Sequence, residues 1–299
     1  MAAEAPGASG GEAGESASAR ACRCGHSPLP GKRFRKQGPK AREKKEKPMR
    51  KLVLLMMTVW LALGAVLSAL AGEEMASIVL SDAGIQASPG VEVTGTRVRI
   101  TQPGSYLVSG SLAEGQLEVD CPQQGGVTLY LSGVDIRNAT GPALLVGECS
   151  PRLTISLVDG TENFLSDGTQ LVFTEDDEPN GVIFSRSDLT IEGGGALTVD
   201  AGAMDGIVSK DDLKIKGGLI TVTAPRHGVR GKDAVEISGG TLVITAGRDG
   251  IKATNKTDPQ RGYVEITGGD LTLRCGDEPV DWVTRCTVRE AVLQLEPLP

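Results

Sequence analysis

The chain has 299 residues, with 31 Lys+Arg against 38 Asp+Glu, two histidines and 3% aromatics. So few histidines and rings exclude a histidine-built transition-metal site and a broad aromatic platform for crystalline cellulose. The charge is uneven: residues 72–299 hold 18 basic and 33 acidic side chains, net −15, a surface that should repel nucleic acid and anionic membranes and attract cations.

In chain order, residues 1–48 are rich in Ala, Gly, Glu, Lys and Arg without apolar periodicity, and read as a disordered extension. Their Cys22-x-Cys24-x-His26 cluster has no second pair of ligands and is not assigned a metal. Residues 49–71 read as a signal peptide. Met49-Arg50-Lys51 precedes an apolar run from Leu52 to Ala71, which ends in the small-residue pattern Ser68-Ala69-Leu70-Ala71 with no basic flank after it. Cleavage after Ala71 is expected; an uncleaved anchor is the alternative, since the run is long enough to span a bilayer. Met49 opens a complete leader, so the 48 residues before it also read as an over-extended reading frame. The expected destination is secreted or cell-surface, with no stable membrane insertion after cleavage. Beyond the leader lie Cys121, Cys149, Cys275 and Cys286. An even number permits disulfides in an exported chain, with Cys121–Cys149 and Cys275–Cys286 as the local choices; four small buried apolar residues are the alternative.

From residue 188 the chain repeats itself. Asp188-Leu-Thr-Ile-Glu-Gly-Gly-Gly, Asp212-Leu-Lys-Ile-Lys-Gly-Gly, Ala234-Val-Glu-Ile-Ser-Gly-Gly and Tyr263-Val-Glu-Ile-Thr-Gly-Gly open four matched units. Ile191, Ile215, Ile237 and Ile266 mark the register at spacings of 24, 22 and 29, the last stretched by the polar insert Asn255 to Arg261. Each unit holds three short runs of apolar alternation, as in Leu189/Ile191, Leu197/Val199 and Ile207, the period of a strand with one buried face. No two-residue hairpin turn joins such runs. Strands this short can bury an apolar face if each pairs in parallel with its counterpart one unit later. Looser versions run upstream in Gly104-Ser-Tyr-Leu-Val-Ser-Gly, Val127-Thr-Leu-Tyr-Leu-Ser-Gly-Val-Asp-Ile and Arg152-Leu-Thr-Ile-Ser-Leu, and Glu175 to Asn180 reads as an acidic loop. Residues 72–299 are therefore expected to form one all-β domain, a right-handed parallel β-helix (a solenoid) of about eight coils of 22–24 residues. An antiparallel β-sandwich is the runner-up, disfavoured by the near-constant unit length.

Gly104-Ser-Tyr-Leu-Val-Ser-Gly, Gly133-Val-Asp-Ile, Asp205-Gly-Ile-Val-Ser-Lys-Asp-Asp-Leu and Gly239-Gly-Thr-Leu-Val-Ile-Thr-Ala-Gly-Arg-Asp-Gly-Ile carry a family resemblance. Over residues 76–275 the chain resembles the calcium-containing carbohydrate-binding β-helix proteins of clostridia and their relatives. The resemblance implies an exported protein, akin in fold to polysaccharide lyases, that binds cellulose and acidic plant polysaccharide. The chain departs from the pattern where His227-Gly228-Val229 replaces an Asp-Gly-Ile, and where the last unit decays to Glu278-Pro279-Val280. Those departures leave the number of metal sites open.

Matching positions one unit apart should stack about 4.8 Å apart. Aligning Leu189, Leu213 and Val235 places Asp211 on Asp233 and Asp188 on Asp212. Carboxylates that close repel by about 1–4 kcal/mol, depending on the effective dielectric, unless a cation sits among them. Ca2+ suits the place, because it accepts carboxylates, carbonyls and water in flexible geometry, whereas Mg2+ demands a strict octahedron. Asp205 and Asp249 fall at a second corner with His227 between them. They read equally as turn chemistry and as ligands, joined by the insert Asn255–Asp258 or by Asp176 and Asp177. The candidate metal ligands are thus Asp188, Asp205, Asp211, Asp212, Asp233 and Asp249.

Arg226, Arg230, Lys232 and Arg248 lie near these corners and are the candidate substrate-binding cations; the alternative is that they balance an acidic surface. No Ser/His/Asp set exists beyond residue 71, where His227 is the single histidine, and no motif places a base, so no catalytic residue is assigned. The function expected is calcium-dependent, non-catalytic binding of acidic plant cell-wall glycans (pectin or polygalacturonate) or cellulose. A calcium-dependent polysaccharide lyase is the first alternative, and a structural or adhesive cell-surface protein the second.

Overall fold

Period-two patterning carries directly into the backbone. Leu219-Ile-Thr-Val-Thr-Ala is one strand whose residues alternate between exposed and buried along its whole length. The structure, a computed structural model, describes residues 75–169 and 178–298; the leader, the Cys22-x-Cys24-x-His26 cluster, Asp176 and Asp177 lie outside them. Among the described residues there are 25 strands and no helix.

The strands form two sheets, of sixteen and nine strands. In the larger sheet two arms meet at the twelve-residue strand Val127–Asn138. One arm runs through Arg152–Leu157, Asp188–Gly193, Asp212–Ile215, Ala234–Ile237, Tyr263–Ile266 and Arg285–Val288. The other runs through Glu162–Asp167, Ala196–Asp200, Leu219–Ala224, Thr241–Ala246, Asp270–Cys275 and Val292–Glu296. The smaller sheet carries Gly181–Ser185, Asp205–Ser209, Val229–Gly231, Ile251–Ala253 and Val280–Asp281 in order.

Pairing is parallel throughout these series. Leu189 pairs with Leu213, Leu213 with Val235 and Val235 with Val264; Ile191, Ile215, Ile237 and Ile266 follow two residues on. All four isoleucines are fully buried, and each such side chain contributes about 1.5–3 kcal/mol. Ile207, Val229 and Ile251 from the smaller sheet, and Val199, Val222 and Ile244 from the second arm, line the same core. The recurrent Gly-Gly corners have a backbone reason: Gly218, Gly240 and Gly269 all take φ between +94° and +97°, a region that side chains with a Cβ rarely adopt.

The expected right-handed parallel β-helix of about eight 22–24-residue coils is corrected by this topology. Three short strands per unit were expected to build three separate stacks, yet the chain makes two sheets. The cause lies upstream of the clear repeats. Val127–Leu131 pairs with Leu153–Leu157, and Asp135–Asn138 with Phe164–Asp167, so one continuous strand joins what the sequence reads as separate runs. A ladder irregularity facing Ser132-Gly133, with Gly133 at φ 73°, lets that strand bend without ending. The first elements also include two antiparallel pairs, Ala76–Leu80 with Gln86–Ala87 and Val91–Thr94 with Arg97–Ile100.

Candidate functional site

Parallel register gathers acidic residues where strands of the first arm begin. Asp188 and Asp212 open the strands Asp188–Gly193 and Asp212–Ile215, and the Asp233 amide donates to the Asp211 carbonyl at 3.3 Å. Asp188, Asp211 and Asp212 each bring a carboxylate oxygen within 4.8 Å of the others. Burial, the hydrogen bond with Asp233 and the charges of Asp188, Asp233 and Asp212 push the Asp211 carboxyl up to about 6. Burial and Asp188 push Asp212 upward as well.

Asp233 behaves differently. Burial pushes its carboxyl up, but hydrogen bonds from Asn255 and Asp211 and the Arg261 guanidinium outweigh it and hold the group below its ordinary value. Arg261 stands 2.6 Å from Asp233, 3.5 Å from Asp211 and 3.8 Å from Asp212. The polar insert therefore folds over the Asp211/Asp233 corner through Asn255 and Arg261, not over Asp205 and Asp249. Three oxygens spanning 4.8 Å fit one calcium ion, whose opposed ligands lie about 4.6–5.2 Å apart at ordinary Ca–O distances. The donor set fits too, being all carboxylate oxygen. Asp188, Asp211 and Asp212 would hold such an ion beside the Arg261 guanidinium, which reaches Asp211 and Asp212 but lies closest to Asp233.

The second row is built around glycine. Gly206, Gly228 and Gly250 follow Asp205, His227 and Asp249, and a Cβ on Gly206 or Gly228 would lie 2.6 or 2.7 Å from the next carbonyl oxygen in the stack. Close backbone approach, not a left-handed turn, explains the motif. It also draws Asp205 and Asp249 into the interior, 0% and 4% exposed. Asp205 is paired with Arg230 at 2.6 Å and Arg226 at 3.4 Å, and accepts the His227 amide at 3.2 Å. Asp249 is paired with Lys252 at 2.6 Å and with His227 Nδ1 at 3.1 Å. Burial pushes Asp249 up, but the Lys252 and Glu278 N–H donors and the Lys252 charge outweigh it, and the carboxyl is held low. Burial lowers His227, as do Lys252 and Arg230, against the opposing pull of Asp205 and Asp249, so the ring favours its neutral form. Asp205 and Asp249 are thus held in protein ion pairs, apart from the Asp188/Asp211/Asp212 cluster.

Partners in these pairs, but not Asp205, line a cavity of about 850 Å3. Arg226, Arg230, Arg248, Lys252 and Lys256 line it, facing Asp249, Asp277, Glu278 and Asp281, with the indole of Trp282, 46% exposed, at its rim. Of the expected substrate-binding cations, Arg226, Arg230 and Arg248 are brought together here. Lys232 is not: it is exposed beside Asp233, whose carboxyl its charge helps to lower. Lys210, one residue before Asp211, pairs with Glu178.

A family described as carbohydrate-binding domain-containing protein matches residues 94–297. The chain belongs to this family. A carbohydrate-binding domain-containing protein of Acetivibrio thermocellus is 45% identical over 224 residues, which cover 74% of this chain and 78% of the relative. Among solved structures, the gadolinium derivative of a polysaccharide lyase-like protein from C. thermocellum superposes with a TM-score of 0.65 at 37% identity, covering 75% of this chain and 95% of that one. The fold is accordingly polysaccharide lyase-like and all-β, and the residues of the cavity and of the acidic corner lie within the matched span.

Sequence reasoning missed Lys252, Lys256 and Trp282 as parts of this domain's cavity, and Arg261 as the cap of its acidic corner. Lys252 was within reach: it follows Asp249 by three residues, and its ladder partner Arg230 was already a candidate. Trp282 carried no repeat signal, because its unit is the one that decays.

Proposed function

We propose that the chain is an exported, calcium-dependent protein that binds acidic polysaccharide, polygalacturonate in preference to cellulose, and does not cleave it. The observation that carries this reading is the 850 Å3 cavity, where five cationic side chains and an exposed indole are gathered with four carboxylates, one cation in excess on an otherwise acidic chain. A uronate polymer offers matching chemistry: carboxylates for Arg and Lys, hydroxyls for Asp and Glu, and an apolar sugar face for Trp282. Cellulose supplies no carboxylate and calls for more rings than this chain has.

The ion pairs favour binding over elimination. A lyase base must take a proton from the sugar, whereas Arg226 and Arg230 are engaged in ion pairs with a fully buried Asp205. At the acidic corner, Ca2+ would neutralise the like charges of Asp188, Asp211 and Asp212. That a solved relative takes gadolinium is in keeping with this, since lanthanides prefer the same hard oxygen donors. Export rests on the leader expected at residues 49–71.

The test is retention of the protein on immobilised polygalacturonate and on cellulose, with and without EGTA, for wild type and Trp282→Ala. Wild type should be retained on polygalacturonate in calcium, and Trp282→Ala, which lacks the exposed ring, should bind about tenfold more weakly. Equal retention on neutral and acidic polymers, or unchanged binding by Trp282→Ala, would sink the proposal.

A further inference from the structure

Strand register decides between cysteine pairings that the sequence leaves open. Cys121, in Gln116–Gln124, and Cys149, in Leu144–Ser150, are ladder partners on neighbouring parallel strands. Both are buried, 0% and 3% exposed, and both belong to the same apolar core. Ladder partners have Cα atoms about 4.7–4.9 Å apart, within the range of about 4.4–6.8 Å that a disulfide accepts. The ladder shifts register on each side of Cys121, which leaves its backbone less tightly fixed than in a regular strand. The other pairing has no such support: Cys275 is the partner of Ala246 in one arm, and Cys286 the partner of Val264 in the other. All four are free thiols in the structure.

We propose that Cys121 and Cys149 form an intrachain disulfide by exchange with a small external disulfide. Cys149 lines a surface cavity of about 290 Å3, and its thiol, which donates to the Arg152 carbonyl at 3.0 Å, must leave that bond to react. Its thiolate attacks one sulfur of the external disulfide, the S–S bond breaks, and one small thiolate leaves. The Cys121 thiolate then attacks the Cys149 sulfur of the mixed disulfide and expels the second. The two protein thiols lose two electrons and two protons, and the external disulfide takes up both as two thiols. Burial raises both protein thiols, Cys149 to about 11, so the exchange is slow in the folded chain and faster while the chain folds. Closing a loop of about 28 residues should raise the melting temperature by about 7–14 °C.

The test uses the full chain in two arms: native protein incubated with oxidised glutathione, and reduced, unfolded protein refolded in a glutathione redox buffer. Free thiols are then blocked and tryptic peptides mapped. Cleavage after Arg99, Arg137 and Arg152 puts Cys121 and Cys149 in separate peptides, 100–137 and 138–152. A linked pair, two hydrogens lighter than the sum and released by reductant, is expected in the refolding arm at least. The oxidised protein should melt higher than the reduced one, a gap that Cys149→Ala removes. If both cysteines are blocked in both arms, or are found joined to glutathione or another cysteine, the proposal is wrong. The map is read on wild type and survives a variant that fails to fold.

Discussion

Replacing Asp211 by Asn should stabilise the metal-free protein and abolish the gain that calcium brings. In the folded chain the Asp211 carboxyl is pushed from 3.8 up to about 6, by burial first and then by its acidic neighbours. At about 1.36 kcal/mol per unit, the ionised form would cost about 3 kcal/mol as a ceiling. The side chain is 44% exposed, so solvent screening reduces this to about 1 kcal/mol. In a domain this size that is about 2–4 °C of melting temperature. The sign follows from the raised value: the stability contributed by the protonated group is full below about pH 4 and lost as pH rises through about 6. In EGTA, Asp211→Asn should therefore melt higher than wild type at pH 7, with the advantage gone near pH 4. Calcium at a hundred times its dissociation constant adds about 2.7 kcal/mol to wild type, which is about 5–10 °C. The variant should lose most of that increment, and Asp135→Asn, away from the corner, should keep it. Scanning calorimetry over this pH series decides the matter. A wild type indifferent to EGTA, or an Asn variant that melts lower at pH 7 without metal, would refute the reasoning.

Three further outcomes are expected. Arg230→Ala removes the closer of the two cations paired with the fully buried Asp205, leaving Arg226, and should cost about 3 kcal/mol, read by urea denaturation. Ile237→Ala, at a fully buried position between Ile215 and Ile266, should cost about 2–5 kcal/mol by the same assay. Wild type incubated with pectate and calcium should give no rise at the unsaturated-uronate band; a steady rise that disappears in Arg226→Ala would establish a lyase instead.

Much of the local structure was legible because period-two alternation dictates it. The register read from Ile191, Ile215, Ile237 and Ile266 is the register of the ladder, and the Asp188/Asp211/Asp212 cluster follows from it by arithmetic. The sheet count was not legible. Whether a Ser-Gly pair ends a strand or bends it depends on the neighbouring strand, and at Ser132-Gly133 the strand continues. The roles of Asp205 and Asp249 were hidden for a related reason. Asp-Gly is turn chemistry in isolation, and only the close approach of stacked backbones shows why Gly206 and Gly228 must lack a side chain. Arg261 reaches the acidic corner from the polar insert, which interrupts the repeat and so has no counterpart in the other units to reveal its place.

The most direct measurement is calorimetric titration of oligogalacturonate, and of a neutral glucan oligomer of equal length, into wild type and Lys256→Ala at two salt concentrations in the presence of calcium. Binding in the cationic cavity predicts heat with the uronate oligomer alone, affinity that falls as salt rises, and a weaker salt dependence in Lys256→Ala. Equal affinity for both oligomers, or uronate binding that ignores both salt and Lys256, would contradict the account.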